Sequence, residues 1–102
     1  METKINFLDN SKVVVKPLDD IDFSNSNKFE EKLQEVFNDN YKKIIIDFCE
    51  IEIIDCSGIN KLFKFQKKLK EEDGNLIIRN VKSDYVKNIF NLVKLNKNIK
   101  IE

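Results

Sequence analysis

Ile44-Ile45-Ile46-Asp47-Phe48, then after five further residues Ile54-Asp55-Cys56-Ser57-Gly58-Ile59, is the stretch on which the fold of this chain turns. Its first half is a short, continuous, β-branched run of the kind found in strands buried on both faces, as in parallel sheets. Its second half leads into a helical period. Ile59, Leu62, Phe63, Phe65 and Leu69 share one side and Lys61, Lys64 and Lys68 the other, which predicts a helix from near Ser57 to about Glu71. The apolar arc spans about 160°, wider than one stripe needs, so one of Phe63 and Phe65 is expected to be only half covered. A strand passing into a helix at Asp55-Cys56-Ser57-Gly58 sets a hydroxyl on the first helical turn. Unpaired backbone N–H groups and the helix dipole favour negative charge there.

Outward from this centre the pattern repeats. Ile5, Phe7 and Val13, Val15 flank Asp9-Asn10-Ser11 as two antiparallel strands around a turn, with Pro17 closing the second. Ser24 reads as the N-cap of a helix whose apolar face is Phe29, Leu33, Val36 and Phe37. After the central strand and helix come a turn at Asp73-Gly74 and a buried strand, Leu76-Ile77-Ile78. Ser83 caps a third helix bearing Val86, Ile89, Phe90 and Val93, and a last strand spans Ile99 to Ile101. Strand–helix alternation implies right-handed crossovers. The expected fold is therefore α/β: a small mixed sheet, mostly parallel with an N-terminal antiparallel hairpin, packed with three helices. In such sheets the working surface lies at the carboxyl ends of the strands. The loops Asp19–Asn25 and Asp55–Asn60 both belong to that edge and are expected to be neighbours in space.

Composition narrows the function. A length of 102 residues suits a single domain, 1–102. The chain carries 18 Lys+Arg and 18 Asp+Glu for a net charge of +0. Interleaved signs at neutrality argue against bulk attraction to nucleic acid or anionic lipid. No apolar segment approaches the ~20 residues needed to span a bilayer, and Met1-Glu2-Thr3-Lys4 lacks a signal-peptide layout. A cytoplasmic location is expected, with Cys49 and Cys56 reduced. The absence of His removes Ser-His-Asp and Cys-His catalysis and any ordinary zinc site. Two glycines, Gly58 and Gly74, exclude a Walker loop and a dinucleotide fingerprint. Neither cofactor nor metal is expected, and the chain reads as no enzyme.

From Ile5 to Ile101 the chain resembles the STAS domain, in particular the stand-alone bacterial anti-sigma factor antagonists. The likeness is carried by Ile44–Phe48 and Ile54–Ile59, against a family pattern of apolar strand, short loop and Asp-Ser-Ser-Gly-Leu. Asp20-Ile21-Asp22, Asp73-Gly74, Val81 and Ile89-Phe90 are also in register. The resemblance implies a binding module that sequesters an anti-sigma factor with serine-kinase activity, releases it when phosphorylated, and is reset by a serine phosphatase. It makes Ser57 the phosphoacceptor, Asp22 and Asp55 its acidic flanks, and Gly58 the residue that admits a partner's backbone. Ser24, Asn25, Cys56, Asn60, Lys61 and Lys64 would form the partner-binding surface. The sequence departs from the pattern at Cys56, which replaces the first serine, at Asp19, which replaces a glycine, and at Val93-Lys94-Leu95, which lacks the usual glycine.

From the residues alone, other readings stand beside these. Ser57 also suits an ordinary N-cap. Asp22 and Asp55 suit bonds to their own backbone, or a cation. Cys56 suits inert packing, or a redox or phosphotransfer thiol. The lysine stripe suits a solvated helix face. Two alternative functions follow: a constitutive STAS subunit of a transporter or signalling assembly, and a protein working through Cys56.

Overall fold

Strands form where β-branched residues cluster and helices where the 3.6-residue period takes over. The computed structural model describes residues 1–102. Its order is β1 (Thr3–Phe7), β2 (Lys12–Pro17), α1 (Ser26–Asn38), β3 (Lys43–Asp47), α2 (Cys56–Glu71), β4 (Asn75–Arg79), α3 (Asp84–Leu92), a 3-10 turn (Leu95–Lys97) and β5 (Lys100–Ile101). The five strands lie in sequential order in one sheet. β1 and β2 are antiparallel and every other pair is parallel. The mixed sheet, the hairpin and the three helices are those expected from the sequence. The 3-10 turn was not, and it reduces the last strand to two residues.

Right-handed crossovers that each step to the next strand in the same direction put every helix on one face of the sheet. Buried residues of all three helices accordingly share one cluster with Val13, Val15, Ile44, Ile46, Leu76 and Ile78. Phe48 and Phe90 meet inside it with ring centroids 5.6 Å apart. Gln66, a buried polar side chain, joins the layers: it donates to Asn98 O at 2.6 Å and accepts from Leu76 N at 3.0 Å. Phe65 is fully buried and Phe63 only partly, which resolves the wide apolar arc of α2.

Two local expectations are corrected. Ser24 is not the cap of α1: the helix begins one residue later than that reading requires, with Asn25 in the cap position and no side-chain cap bond. Lys64 is exposed, as a solvated stripe requires, but Lys61 and Lys68 are half-buried and all three lysines have partners. α1 packs beside α2, and Glu30 pairs with Lys61 at 3.3 Å and with Lys64 at 2.5 Å. Lys68 donates to Gln34 and lies 4.9 Å from the Phe65 ring centroid. The Glu30 carboxyl is held below its ordinary range, first by the hydrogen bond from Lys64 and then by Lys61. A stripe read from one helix was completed by the next one. Lys94, in the segment without the usual glycine, adopts the left-handed conformation at φ 55° that a glycine takes without strain.

Candidate functional site

The carboxyl ends of β2, β3 and β4 deliver three loops to one edge, and backbone bonds lock the first two together. Ile21 N donates to Ile53 O at 3.2 Å and Asp55 N to Ile21 O at 3.1 Å, a parallel bridge between Ile21 and Ile54. Asp20 adds side-chain staples, its Oδ1 accepting from Glu52 N at 2.8 Å and Ile53 N at 3.1 Å. The third loop arrives through Ser83. Its hydroxyl donates to Glu52 O at 2.7 Å and accepts from Val86 N, so it caps α3 and ties it to the edge. Asp19–Asn25 and Asp55–Asn60, far apart in sequence, are indeed neighbours, but only the first is a loop: Cys56–Asn60 already belong to α2, with Asp55 as its cap.

Asp55 is the centre of this edge. As N-cap of α2 its Oδ1 accepts from Ser57 N at 3.0 Å, Gly58 N at 3.3 Å and the Ser57 hydroxyl at 2.5 Å. Its Oδ2 reaches across to the other loop and accepts from Phe23 N at 2.9 Å. These donors favour the charged form, and the carboxyl is held below its ordinary value, the Ser57 hydroxyl being the largest cause. The cap expected of Ser57 thus belongs to Asp55. Ser57 sits half-buried on the first turn, its proton directed at the carboxylate. Its remaining lone pairs are left to whatever approaches the edge.

Gly58 has a different role from the one its motif suggested. It is buried, and a Cβ there would lie 2.6 Å from Ile21 Cγ2 and 2.8 Å from Ile54 Cγ1. Its missing side chain lets α2 close onto the Ile21–Ile54 bridge. The approach it permits is internal, not that of a partner's backbone. Asp22 does not turn to Ser57 either. Its Oδ1 accepts from Ser24 N and Ser24 Oγ, and Asn25 Oδ1 accepts from Asp22 N, a closed turn ahead of α1. Of the expected partner surface, Ser24, Cys56 and Asn60 are exposed and Asn25 is half-buried. Lys61 and Lys64 are already engaged by Glu30.

The sequence reading missed Phe23, 85% exposed, and Ile53, 50% exposed, on the two stapled loops beside Asp55. Tyr85, on the first turn of α3, is 51% exposed. The signal was present: Phe23 is a large aromatic between Asp22 and Ser24, outside the period of α1. A hollow of about 450 Å³ lined by Phe63, Gln66, Lys67, Lys70, Glu71 and Asn98 lies further along α2 and holds none of the loop-edge residues. Both cysteines are free, Cys56 exposed and Cys49 half-buried. No helix is long and apolar enough to cross a membrane.

The STAS-domain family model matches residues 4–102. The chain belongs to the STAS domain family. Among solved structures it is similar to TM1081 of Thermotoga maritima, with a TM-score of 0.90 and 19% identity over 97% of this chain and 84% of that one. It is also similar to an anti-sigma factor antagonist of Mycobacterium paratuberculosis, with a TM-score of 0.83 and 22% identity over 98% and 83%. The Bacillus cell fate determinant SpoIIAA in its phosphorylated form gives a TM-score of 0.75 and 18% identity over 99% and 91%. At these identities the likeness is one of fold. No curated protein sequence matches this STAS domain.

Proposed function

We propose that this STAS domain is an anti-sigma factor antagonist, a binding module switched by phosphorylation of Ser57 and performing no chemistry itself. The observation that carries the reading is the half-buried Ser57 hydroxyl, held 2.5 Å from the Asp55 carboxylate on the first turn of α2. Around it stand the exposed Phe23 and Ile53, apolar anchors of the kind that dominate binding energy at interfaces. The partner is an anti-sigma factor that is also a serine kinase. A serine phosphatase resets the switch.

The physics of the switch follows from the same geometry. Phosphorylation replaces the hydroxyl proton, removes the bond to Asp55, and adds roughly −1.5 to −2 charges beside an existing carboxylate. The amides of the first helical turn offset part of that charge. Beneath the first helical turn Gly58 meets the apolar side chains of Ile21 and Ile54, so the domain keeps its fold and the effect falls on docking. A loss of ~3 kcal/mol at the interface weakens binding about a hundredfold. In support, SpoIIAA has been solved unphosphorylated and phosphorylated, and the two forms match this chain with similar TM-scores of 0.76 and 0.75.

The test is incubation with ATP and an anti-sigma kinase encoded beside this chain, followed by mass spectrometry. One phosphate on Ser57 is expected, and none on the Ser57→Ala variant. Ser57→Asp should bind the kinase about a hundredfold more weakly than the unmodified chain, while Ser57→Ala retains affinity. Equal affinities for both variants would eliminate the switch.

A further inference from the structure

The fold sorts charges that the sequence interleaves. On the inner side of the sheet, Ile5, Val15, Ile46, Ile78 and Ile101 form one row by register. Every second residue must therefore point to the other, helix-free face. That face carries Lys4, Lys12, Lys16, Lys43, Arg79 and Lys100, with Asp47 as the one acid among the strand residues. Arg79 pairs with Glu102 at 3.8 Å, whereas none of the five lysines makes an ion pair. Asp9 lies near Lys12, and Cys49, Asp47 and Glu50 lie near Lys16. Many carboxylates collect elsewhere, with Asp19, Asp20, Asp22, Glu52 and Asp55 in the loops around Ser57.

The centre of the face is the row Val14, Ile45 and Ile77, flanked by Asn6 and Lys100. No helix covers it, yet Ile45 and Ile77 are only 3% and 2% exposed. Lys12, Lys16, Lys43 and Arg79 on the same face are themselves half-buried, as expected of long side chains that lay their stems on apolar neighbours and keep their charged heads in water. The result is a broad cationic surface without an exposed aromatic or aliphatic anchor.

We infer that this helix-free sheet face adsorbs to anionic lipid bilayers, with the loops around Ser57 left free at the rim. Charge complementarity requires an anionic partner, and the residue types select among them. Specific protein interfaces are enriched in Arg and aromatics and depleted in Lys, the reverse of this face. Single-stranded nucleic acid calls for aromatic stacking platforms, absent here. The face of a five-stranded sheet, about 19 Å across its strands, is also wider than the ~12 Å major groove of duplex DNA, which admits a two-stranded ribbon. A bilayer is planar and its charges are mobile, so lysines acting as point charges suffice. The inference is independent of the phosphorylation switch, and it reverses the expectation drawn from zero net charge.

The test is co-sedimentation of the full chain with vesicles of phosphatidylserine and phosphatidylcholine in equal parts, against phosphatidylcholine alone. Binding is expected only to the anionic vesicles and only at low salt, disappearing near ~1 M where screening acts within ~3 Å. Each lysine at the surface contributes about fivefold in partitioning, so Lys4→Gln with Lys43→Gln should reduce it about 25-fold. Lys67→Gln with Lys70→Gln removes the same charge from the exposed side of α2 and should leave binding unchanged. No sedimentation with anionic vesicles, or equal loss from both pairs, would overturn the proposal. So would tighter binding of a uridine oligonucleotide or of polyglutamate than of the vesicles. Circular dichroism of both variants confirms that the comparison is between folded proteins.

Discussion

The starts of α1 and α2 solve the same problem in opposite ways. Each must satisfy backbone N–H groups that lack a partner within the helix. Ahead of α1 the loop folds on itself: Asp22 holds Ser24, Asn25 holds Asp22, and Asn25 has no side-chain cap bond to the helix. Ahead of α2 a single carboxylate does both tasks, capping Ser57 and Gly58 with one oxygen and gripping Phe23 N of the other loop with the second. The turn ahead of α1 closes on itself at Asp22–Asn25, although its loop is stapled to the next one through Asp20, Ile21 and Phe23. A shared cap couples two loops, so a change at Ser57 is felt by the loop that displays Phe23.

The most severe way to break this contrast is to pry α2 from its seat. Gly58→Val should destabilise the fold by about 3 kcal/mol, because its Cβ meets the Ile21 and Ile54 side chains. Chemical denaturation reads the effect, and an unchanged midpoint would mean that α2 is not pinned there. Next in size is the shared cap. Asp55→Ala should cost about 2 kcal/mol, since it strands the N–H groups of Ser57, Gly58 and Phe23. Asn25→Ala, which disturbs only the local turn, should cost about 1 kcal/mol or less. Equal costs would erase the distinction between the two starts.

Acid sharpens the same comparison. The folded Asp55 carboxyl lies below the ordinary 3.8. Its contribution is therefore fully present above that value and is lost as pH falls through the lower folded value. The stability gap between the wild-type chain and Asp55→Ala should hold at neutral pH and narrow below about pH 4. A gap independent of pH would assign the effect to packing. The smallest stability change belongs to Phe23→Ala, within ~0.5 kcal/mol because the residue is 85% exposed. Its affinity for the proposed anti-sigma kinase partner should nevertheless fall tenfold or more. A loss of stability with affinity intact would make Phe23 structural.

Much of this arrangement could be read from residues in line. The triple isoleucine Ile44–Ile46, the hairpin around Asp9-Asn10-Ser11 and the period of Phe29, Leu33 and Val36 each act over a few residues. The elements they predicted are the ones that formed. Ser83 was legible as a cap for the same reason. One misreading was local: Asp22, two residues away, draws Ser24 into a turn ahead of the helix. The others concern partners distant in the chain. The lysine stripe was judged by its own segment, while Glu30 decided it. Gly58 was judged by its motif, while Ile21 filled the space beside it.

By itself the sequence determined the elements, their order and a serine on the first turn of the central helix, because strand and helix periods are local properties of side-chain spacing. Only the tertiary structure decided that Asp55 joins two loops, that Glu30 pairs with both Lys61 and Lys64, and that the strand lysines share one uncovered face. Those outcomes depend on sheet register and on the direction of each crossover. Both are fixed by contacts between residues far apart in the chain, which no local period records.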